Sequence, residues 1–279
     1  MSTYKELLLS AQEILNDNGI ADAKLDAWYL LAHVFGMTRS DFFLRENQES
    51  PRDKALLYND LINKRARHIP LQYITGTQEF MGLEFEVDEN VLIPRQDTEI
   101  LVEEILGICE NKSVLDLCTG SGCIIISLAK LGNIKNGVGS DISKKALHIA
   151  KRNAKKLNVD LTFKESDLFE KIEGRFDIIV SNPPYIKSVD ILSLMPEVGE
   201  HEPRLALDGG EDGLLIYQRI IKELKTYLNP GGHVFFEIGY DQGEALSRML
   251  EDSGFTEIYV KKDYGGLDRV VHGSLVFED

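Results

Sequence analysis

The run Val114-Leu115-Asp116-Leu117-Cys118-Thr119-Gly120-Ser121-Gly122 limits the fold of this chain more than any other stretch. Apolar residues that read as a buried strand lead into a glycine turn, and residues 122–131 then carry the pattern of a helix. The unit recurs. From about residue 98, strands are expected at 114–117, 138–142, 161–163, 176–180 and 233–238. Helices are expected at 122–131, 143–157, 213–228 and 244–252, and residues 258–260 and 269–271 suit a terminal hairpin. Alternating β and α units predict an α/β fold with a doubly wound, mostly parallel sheet.

Ligands of such sheets bind outside the carboxyl ends of the strands, which is where the turn at 118–122 falls. Glycine there lets a backbone approach a ligand closely. Taken alone, the turn reads equally as a tight connection with no ligand. Asp116, Asp141 and Asp167 fall at three successive strand ends, and that favours a ligand site. A carboxylate at Asp141 can accept both hydroxyls of a ribose. A dinucleotide fingerprint needs G-x-G-x-x-G/A. Here Ile125 occupies the third position and crowds both helix–strand packing and a phosphate. Asp116 is a poor neighbour for a diphosphate and a good one for a cation. S-adenosylmethionine carries a sulfonium and an ammonium and no phosphate, so the charge pattern favours it over NAD.

A second motif, Ser181-Asn182-Pro183-Pro184-Tyr185, follows the apolar run 176–180. Two prolines fix φ and remove two backbone donors. The residue before a proline is pushed to extended geometry, so Asn182 is held stiffly. The result is a rigid set of hydrogen-bond acceptors beside an aromatic ring, suited to a planar NH2 group. Alone, the same residues would serve as a turn that ends a strand.

The N-terminal part reads as helical. Thr3-x-x-Glu6 has the pattern of a capping box, with Tyr4, Leu7, Leu8, Ala11 and Leu15 on one face. Asp22 is placed to cap a second helix with Leu25, Trp28, Tyr29, Ala32 and Phe35 inward. Ser50-Pro51 supplies an N-cap and a proline at the first position of another. Leu83, Phe85 and Val87 alternate with glutamates, and Asp88-Glu89-Asn90 would turn the chain into a partner strand at Val91 and Ile93. Asp97 or Thr98 can cap the helix after that hairpin. The expected organisation is a helical domain at 1–74, a β-hairpin bridge at 75–97 and the α/β domain at 98–279.

Composition narrows the function classes. The net charge is −15 over 279 residues, whereas a non-specific nucleic-acid binder presents a basic face. The lysines at 144–156 suit the solvated face of a helix. Cys109, Cys118 and Cys123 are an odd number of cysteines with no signal peptide, which implies reduced thiols and a cytoplasmic chain without a membrane anchor. Cys118 and Cys123 are not at CxxC spacing and no histidine lies near them, so no metal site is expected.

These motifs resemble a known family. Asp116-x-x-x-Gly120-x-Gly122 is similar to the first motif of class I methyltransferases, and Asn182-Pro183-Pro184-Tyr185 to the (D/N)PPY motif of their amino-methylating members. More narrowly, the chain resembles the release factor glutamine methyltransferases (the HemK/PrmC family) over nearly its whole length. The likeness includes Pro70-Leu71-Gln72-Tyr73-Ile74-x-Gly76, Leu92-Ile93-Pro94-Arg95, Glu197-Val198, the run His201-Glu202-Pro203-Arg204-Leu205-Ala206-Leu207-Asp208-Gly209-Gly210, and Leu267-Asp268-Arg269-Val270-Val271.

The resemblance implies a class I (Rossmann-like) seven-stranded sheet with a small helical domain that recognises the substrate. It implies methyl transfer from S-adenosylmethionine to the side-chain amide nitrogen of the glutamine in the Gly-Gly-Gln loop of peptide chain release factors. Cys118, Thr119, Gly120, Ser121, Gly122, Asp141, Asp167, Leu168 and Asn182 would line the cofactor. Asn182, Pro183, Pro184 and Tyr185 would hold the glutamine, with Asn182, Pro183 and Tyr185 serving catalysis. A monomer without direct nucleic-acid binding is expected. Three positions depart from the family pattern: Gln96 where many members have proline, Cys118 where glycine is usual, and Leu168 where some have an aromatic. His201, Glu202 and Arg204 read equally as a surface ion-pair set or as shapers of the substrate groove. Rival readings are an amino-methylating enzyme of DNA adenine or RNA, a binding module without turnover, and an NAD oxidoreductase. The first lacks a basic recognition region and the last a hydride-transfer acid/base pair.

Overall fold

The computed structural model describes residues 2–276. Two compact units are present: one runs to Gly76 and includes Met195–His201, the other comprises Thr77–Leu194 and the chain from Glu202 onward.

The first unit is built from α1 (Tyr4–Asp17), α2 (Ala23–Phe35), α3 (Arg39–Arg45), α4 (Arg52–Arg65) and the short α5 (Leu71–Thr75). The Thr3 hydroxyl accepts from the Glu6 amide at 3.2 Å, and the Glu6 carboxylate accepts from the Thr3 amide at 2.8 Å. This closes the expected capping box, and Tyr4, Leu7, Leu8, Ala11 and Leu15 are buried as the pattern predicts.

The inward face of α2 differs from expectation. Leu25 and Tyr29 are exposed, while Ala23, Asp26, Ala27, Leu30, Leu31 and Val34 join Trp28 in the core. This helix is apolar around most of its circumference, so periodicity alone leaves its phase open. A charge decides it: Asp26 turns inward and accepts from Arg65 Nε at 2.7 Å. Arg65 also reaches Glu197 at 2.9 Å, and Glu197 meets His68 Nδ1 at 3.0 Å. Asp22 stands at the N-cap without a side-chain cap bond. Ser50 is not the cap of α4 either; Pro51 is, and the Ser50 hydroxyl donates to the Ser2 carbonyl instead.

The second unit begins with β1 (Thr77–Phe80) and β2 (Leu83–Glu86), an antiparallel hairpin in which Phe80 faces Leu83. The expected pairing of residues 83–87 with 91–93 is not formed. Met81 and Gly82 both take positive φ, 52° and 70°, as a two-residue hairpin turn whose twist matches the strands requires. Asp88 is used differently, its carboxylate accepting from the Asn90 amide at 2.9 Å, and residues 91–94 continue without strand pairing.

Then follow α6 (Gln96–Leu106), β3 (Ser113–Leu117), α7 (Cys123–Leu131), β4 (Asn136–Asp141), α8 (Lys144–Lys156), β5 (Thr162–Glu165) and β6 (Phe176–Ser181). The short α9 (Pro196–Gly199) belongs to the first unit. After it come α10 (Leu215–Tyr227), β7 (Leu228–Glu237), α11 (Gly243–Asp252), β8 (Thr256–Lys262) and β9 (Asp268–Ser274). One seven-stranded sheet has the order β5-β4-β3-β6-β7-β9-β8. Strands β5 to β7 in that order pair in parallel, and β9 is antiparallel to both its neighbours.

Alternation along the strands separates two cores. Leu115, Leu117, Ile179 and Phe236 join Tyr217, Leu224 and Leu250 of α10 and α11, whereas Val114, Ile178, Val180 and Phe235 join Leu101, Ile105 and Ile125 of α6 and α7. Helices therefore cover both faces, and the order reverses between β3 and β6, where the carboxyl edge opens a crevice.

Gln96 is the first residue of α6, the position at which a helix accepts proline without loss. Neither Asp97 nor Thr98 caps that helix; Arg95 stands at its N-cap without a side-chain bond, and Thr98 is buried in the first turn.

Asn153 was invisible to motif reading. From α8 its fully buried amide donates to Glu86 O at 3.0 Å and Ser121 O at 2.9 Å, and accepts from Glu86 N at 2.7 Å. It joins the hairpin to the glycine turn. Asn153→Leu is expected to lower unfolding free energy by about 2 kcal/mol, the scale of leaving buried backbone groups without partners. Urea denaturation would measure it.

Candidate active site

The glycine turn lies between β3 and α7 at the crevice. Thr119 N donates to Ser140 O at 2.9 Å, which ties the turn to the end of β4. Gly120 N donates to one carboxylate oxygen of Asp141 at 2.9 Å, and Ser143 N to the other at 2.8 Å. Asp141 is thus fixed by two amides from opposite sides. Burial nonetheless raises its pKa, and those same amides restrain the rise.

Cys118 and Leu168 both have positive φ, 59° and 48°. That left-handed geometry explains why glycine suits the first of these positions. Burial raises the pKa of the Cys118 thiol, with Asp141 adding to the rise, so it stays protonated. Gly122 is needed for space as well as for its φ of 80°. A Cβ there would meet Ile126 Cδ1 at 2.8 Å and Ala150 Cβ at 3.2 Å.

Asp116 is fully buried in β3. Burial pushes its carboxyl up to about 7, offset in part by the Thr119 hydroxyl, which donates to it at 2.5 Å.

At the end of β6, Ser181 donates to Leu117 O at 2.7 Å and locks the two central strands together. Asn182 follows, and its Nδ2 donates to Thr98 Oγ1 at 3.4 Å. With Nδ2 turned to Thr98, Oδ1 is the acceptor that the carboxamide has left for the crevice. Tyr185 donates through its hydroxyl to Glu237 Oε1 at 3.4 Å.

One cleft gathers most of the expected residues. Cys118, Thr119, Gly120, Ser121, Asp141, Asp167, Leu168, Asn182 and Pro184 line it. Gly122, Pro183 and Tyr185 do not: Gly122 opens α7, Pro183 is buried, and the Tyr185 hydroxyl points to Glu237. Asp167 forms a 2.8 Å ion pair with Arg219 across the rim.

Sequence reading missed further lining residues: Asn90, Val91 and Leu92 before α6, Thr98 within it, and Ile142 and Ala146 beside Asp141. Of these, Asn90, Val91 and Thr98 read in the sequence as turn, strand and helix cap, and Leu92 only within Leu92-Ile93-Pro94-Arg95. The polar run at 201–210 is divided among different tasks. Glu202 is buried and paired with Arg95 at 2.6 Å, Arg204 pairs with Asp208 at 3.2 Å, and His201 bonds Arg67 O at 3.2 Å.

The same run also supports the acceptor motif. Ile186 N donates to Leu207 O at 3.0 Å, Gly209 N to Ile186 O at 2.8 Å, and Gln242 Nε2 to Tyr185 O at 3.0 Å.

A mostly parallel seven-stranded sheet with an antiparallel β9, a glycine turn after β3 and Asn-Pro-Pro-Tyr after β6 defines a class I methyltransferase. Solved structures agree on the fold. A methyltransferase from Pyrococcus furiosus superposes with a TM-score of 0.58 at 18% identity, over 77% of this chain and 99% of that one. A ribosomal protein L11 methylase from Lactobacillus delbrueckii gives 0.51 at 24% identity, over 68% and 84%. The PrmC N-terminal domain family matches residues 6–76, and the methyltransferase small domain family residues 95–198. The release factor glutamine methyltransferase of Geobacter sulfurreducens is 41% identical over 275 residues, 98% of this chain and 97% of its own. That of Clostridium acetobutylicum is 42% identical, over 96% of each. This chain belongs to the release factor glutamine methyltransferase family.

Among the described residues no helix is long and apolar enough to cross a membrane, and no group of three or more His, Cys, Asp or Glu side chains could hold a metal ion.

Proposed function

We propose that this chain methylates the side-chain amide nitrogen of the glutamine in the Gly-Gly-Gln loop of peptide chain release factors, with S-adenosylmethionine as donor, in the cytoplasm and as a monomer. The observation that carries this reading is the shared cleft: Asn182 opens onto the same space as the glycine turn and Asp141.

The residues fit the donor. Asp141 and Asp167 line the cleft and give it an acidic character that suits a cation and opposes a diphosphate, with Asp116 buried behind the turn. The turn backbone at 118–122 would let the cofactor approach closely, Asp141 would hold its ribose hydroxyls, and Leu168 with Ile142 would offer apolar surface to its base. When bound, the cofactor supplies an activated methyl group.

The enzyme's task is then positioning and electrostatics, since an amide nitrogen is a weak nucleophile whose lone pair is delocalised. Asn182 Oδ1 and the Pro183 carbonyl accept the two N–H groups of the glutamine. This aims the nitrogen and favours the positive charge that grows on it. Pro184 and Tyr185 confine the amide and exclude water. The helical unit recognises the release factor.

The decisive measurement incubates the chain with S-adenosylmethionine and a purified release factor, followed by peptide mass mapping. One methyl on the loop glutamine is expected. Transfer to nucleic acid, or none, would reject the substrate assignment. S-adenosylmethionine should raise the thermal unfolding midpoint, by linkage to the folded state, and NAD should not.

A further inference from the structure

Gln242 joins three segments that lie far apart in the sequence. It stands at the N-cap of α11 but its side chain does not cap that helix, and it is 5% exposed. Its Oε1 accepts from Gly239 N at 2.9 Å. Both N–H groups of Nε2 are used as well, on Tyr185 O at 3.0 Å and Gly213 O at 3.2 Å. The three contacts fix which way the amide points, since a flipped amide would set an oxygen against two carbonyls and an NH2 against an N–H. Space is fitted to it too. A Cβ at Gly213, whose φ is 76°, would lie 2.8 Å from Nε2 and closer still to Tyr185 O.

Tyr185 closes the acceptor segment. At the other end, Ser181 donates to Leu117 O at 2.7 Å. The two prolines between them fix φ, so residues 182–185 form a short stiff span whose direction is set by what holds its ends. The strap at 207–210 engages Ile186 through its N and O, and Gln242 takes the Tyr185 carbonyl. Lys187 and Asp241 add a second tie between the same segments at 3.3 Å. That pair is 41% and 48% exposed, and such pairs contribute little.

We infer that Gln242 is a positioning residue for methyl transfer: by holding the Tyr185 carbonyl with a buried amide, it sets the direction in which Asn182 Oδ1 and the Pro183 carbonyl meet the substrate nitrogen. This inference rests on the reading of those two groups as acceptors for the glutamine amide.

The cofactor turn is held without Gln242. Gly120 N and Ser143 N fix Asp141, and Thr119 N bonds Ser140 O. Loss of the Gln242 amide should therefore fall on kcat and leave S-adenosylmethionine affinity unchanged. Gln242→Glu keeps the shape but sets a carboxylate oxygen against two carbonyl oxygens, which pushes the Tyr185 carbonyl away. Its kcat is expected to fall about 10²-fold, the scale of a displacement of about an ångström at a reacting centre. Gln242→Met keeps the length and removes the donors without that repulsion, and about tenfold is expected, the scale of one hydrogen bond lost.

The test measures methyl transfer to purified release factor, with kcat counted per S-adenosylmethionine site titrated by calorimetry, so that unfolded chain does not register. A wild-type kcat in Gln242→Glu would overturn the inference, and if that variant does not fold, a wild-type kcat in Gln242→Met overturns it. So would a fall in S-adenosylmethionine affinity that matches the fall in kcat, because Gln242 would then be a general support of the fold. Gln242→Met combined with Asn182→Ala should cost less than the product of the separate losses, since both act on the same acceptors. A full product would show independent action and reject the role. Lys187→Ala should keep the wild-type kcat; a loss as large as that of Gln242→Glu would move the fixing to the exposed pair. Near-normal activity in Asn182→Ala would defeat the acceptor reading itself, whereas an inactive Asn182→Ala beside an active Gln242→Glu would defeat only the assignment to Gln242.

Discussion

Replacing Asn182 with alanine should lower turnover about 10²–10³-fold, as removal of one preorganised polar partner does at other reacting centres. Affinity for S-adenosylmethionine should stay near wild type. The asymmetry follows from the site's division of labour. The turn at 118–122 and Asp141 are held by amides and carbonyls of β3, β4 and α8, none of which depends on Asn182. The substrate nitrogen loses one of its two proposed acceptors, and the Pro183 carbonyl alone cannot hold both of its N–H groups in the aimed geometry. Single-turnover transfer combined with calorimetric binding separates the two effects. Near-normal turnover with intact cofactor binding would reject the role.

Gly209→Ala is expected to reduce kcat by about 10², although residue 209 lies outside the acceptor motif. A Cβ there would sit 2.8 Å from Pro184 O and 2.8 Å from Tyr185 Cα. Both are backbone positions, so no rotamer change relieves the clash. Either Pro184-Tyr185 or the strap at 207–210 must move, and a displacement of about an ångström at a reacting centre costs on that scale. Gly107→Ala is the control. Its added methyl would come no nearer than 3.7 Å to Glu104 O, an ordinary contact, and activity should be retained. Equal activity in the two variants would remove the strap from any role in holding the motif.

The legible part of this chain was local. The capping box at Thr3, the strand that carries Asp116, the solvated lysines of α8 and the stiff segment after β6 follow from periodicity and from what proline and glycine permit. The misread parts share a cause. Leu25 and Tyr29 were placed inward because α2 is apolar nearly all round, and only the distant Arg65, drawing Asp26 inside, sets its phase. The hairpin was assigned its turn at Asp88 because Asx residues favour turns. The turn that forms instead uses Met81, a residue with no turn signal, in a left-handed conformation.

Sequence by itself determined the alternation of strands and helices after residue 98, the glycine turn and the stiff Asn-Pro-Pro-Tyr segment, because each is a property of consecutive residues and their backbone preferences. Tertiary structure decided what the polar groups around the cleft do. Thr98, expected as a helix cap, became the partner of Asn182 from 84 positions away. Asn153 joins Glu86 to Ser121, and Gly209 makes room for Pro184. The physical reason is that a hydrogen bond or a clash depends on which strand ends the sheet order brings together. In the order β4-β3-β6-β7, that juxtaposition places Asp141, the glycine turn, Asn182 and Glu237 side by side at one edge.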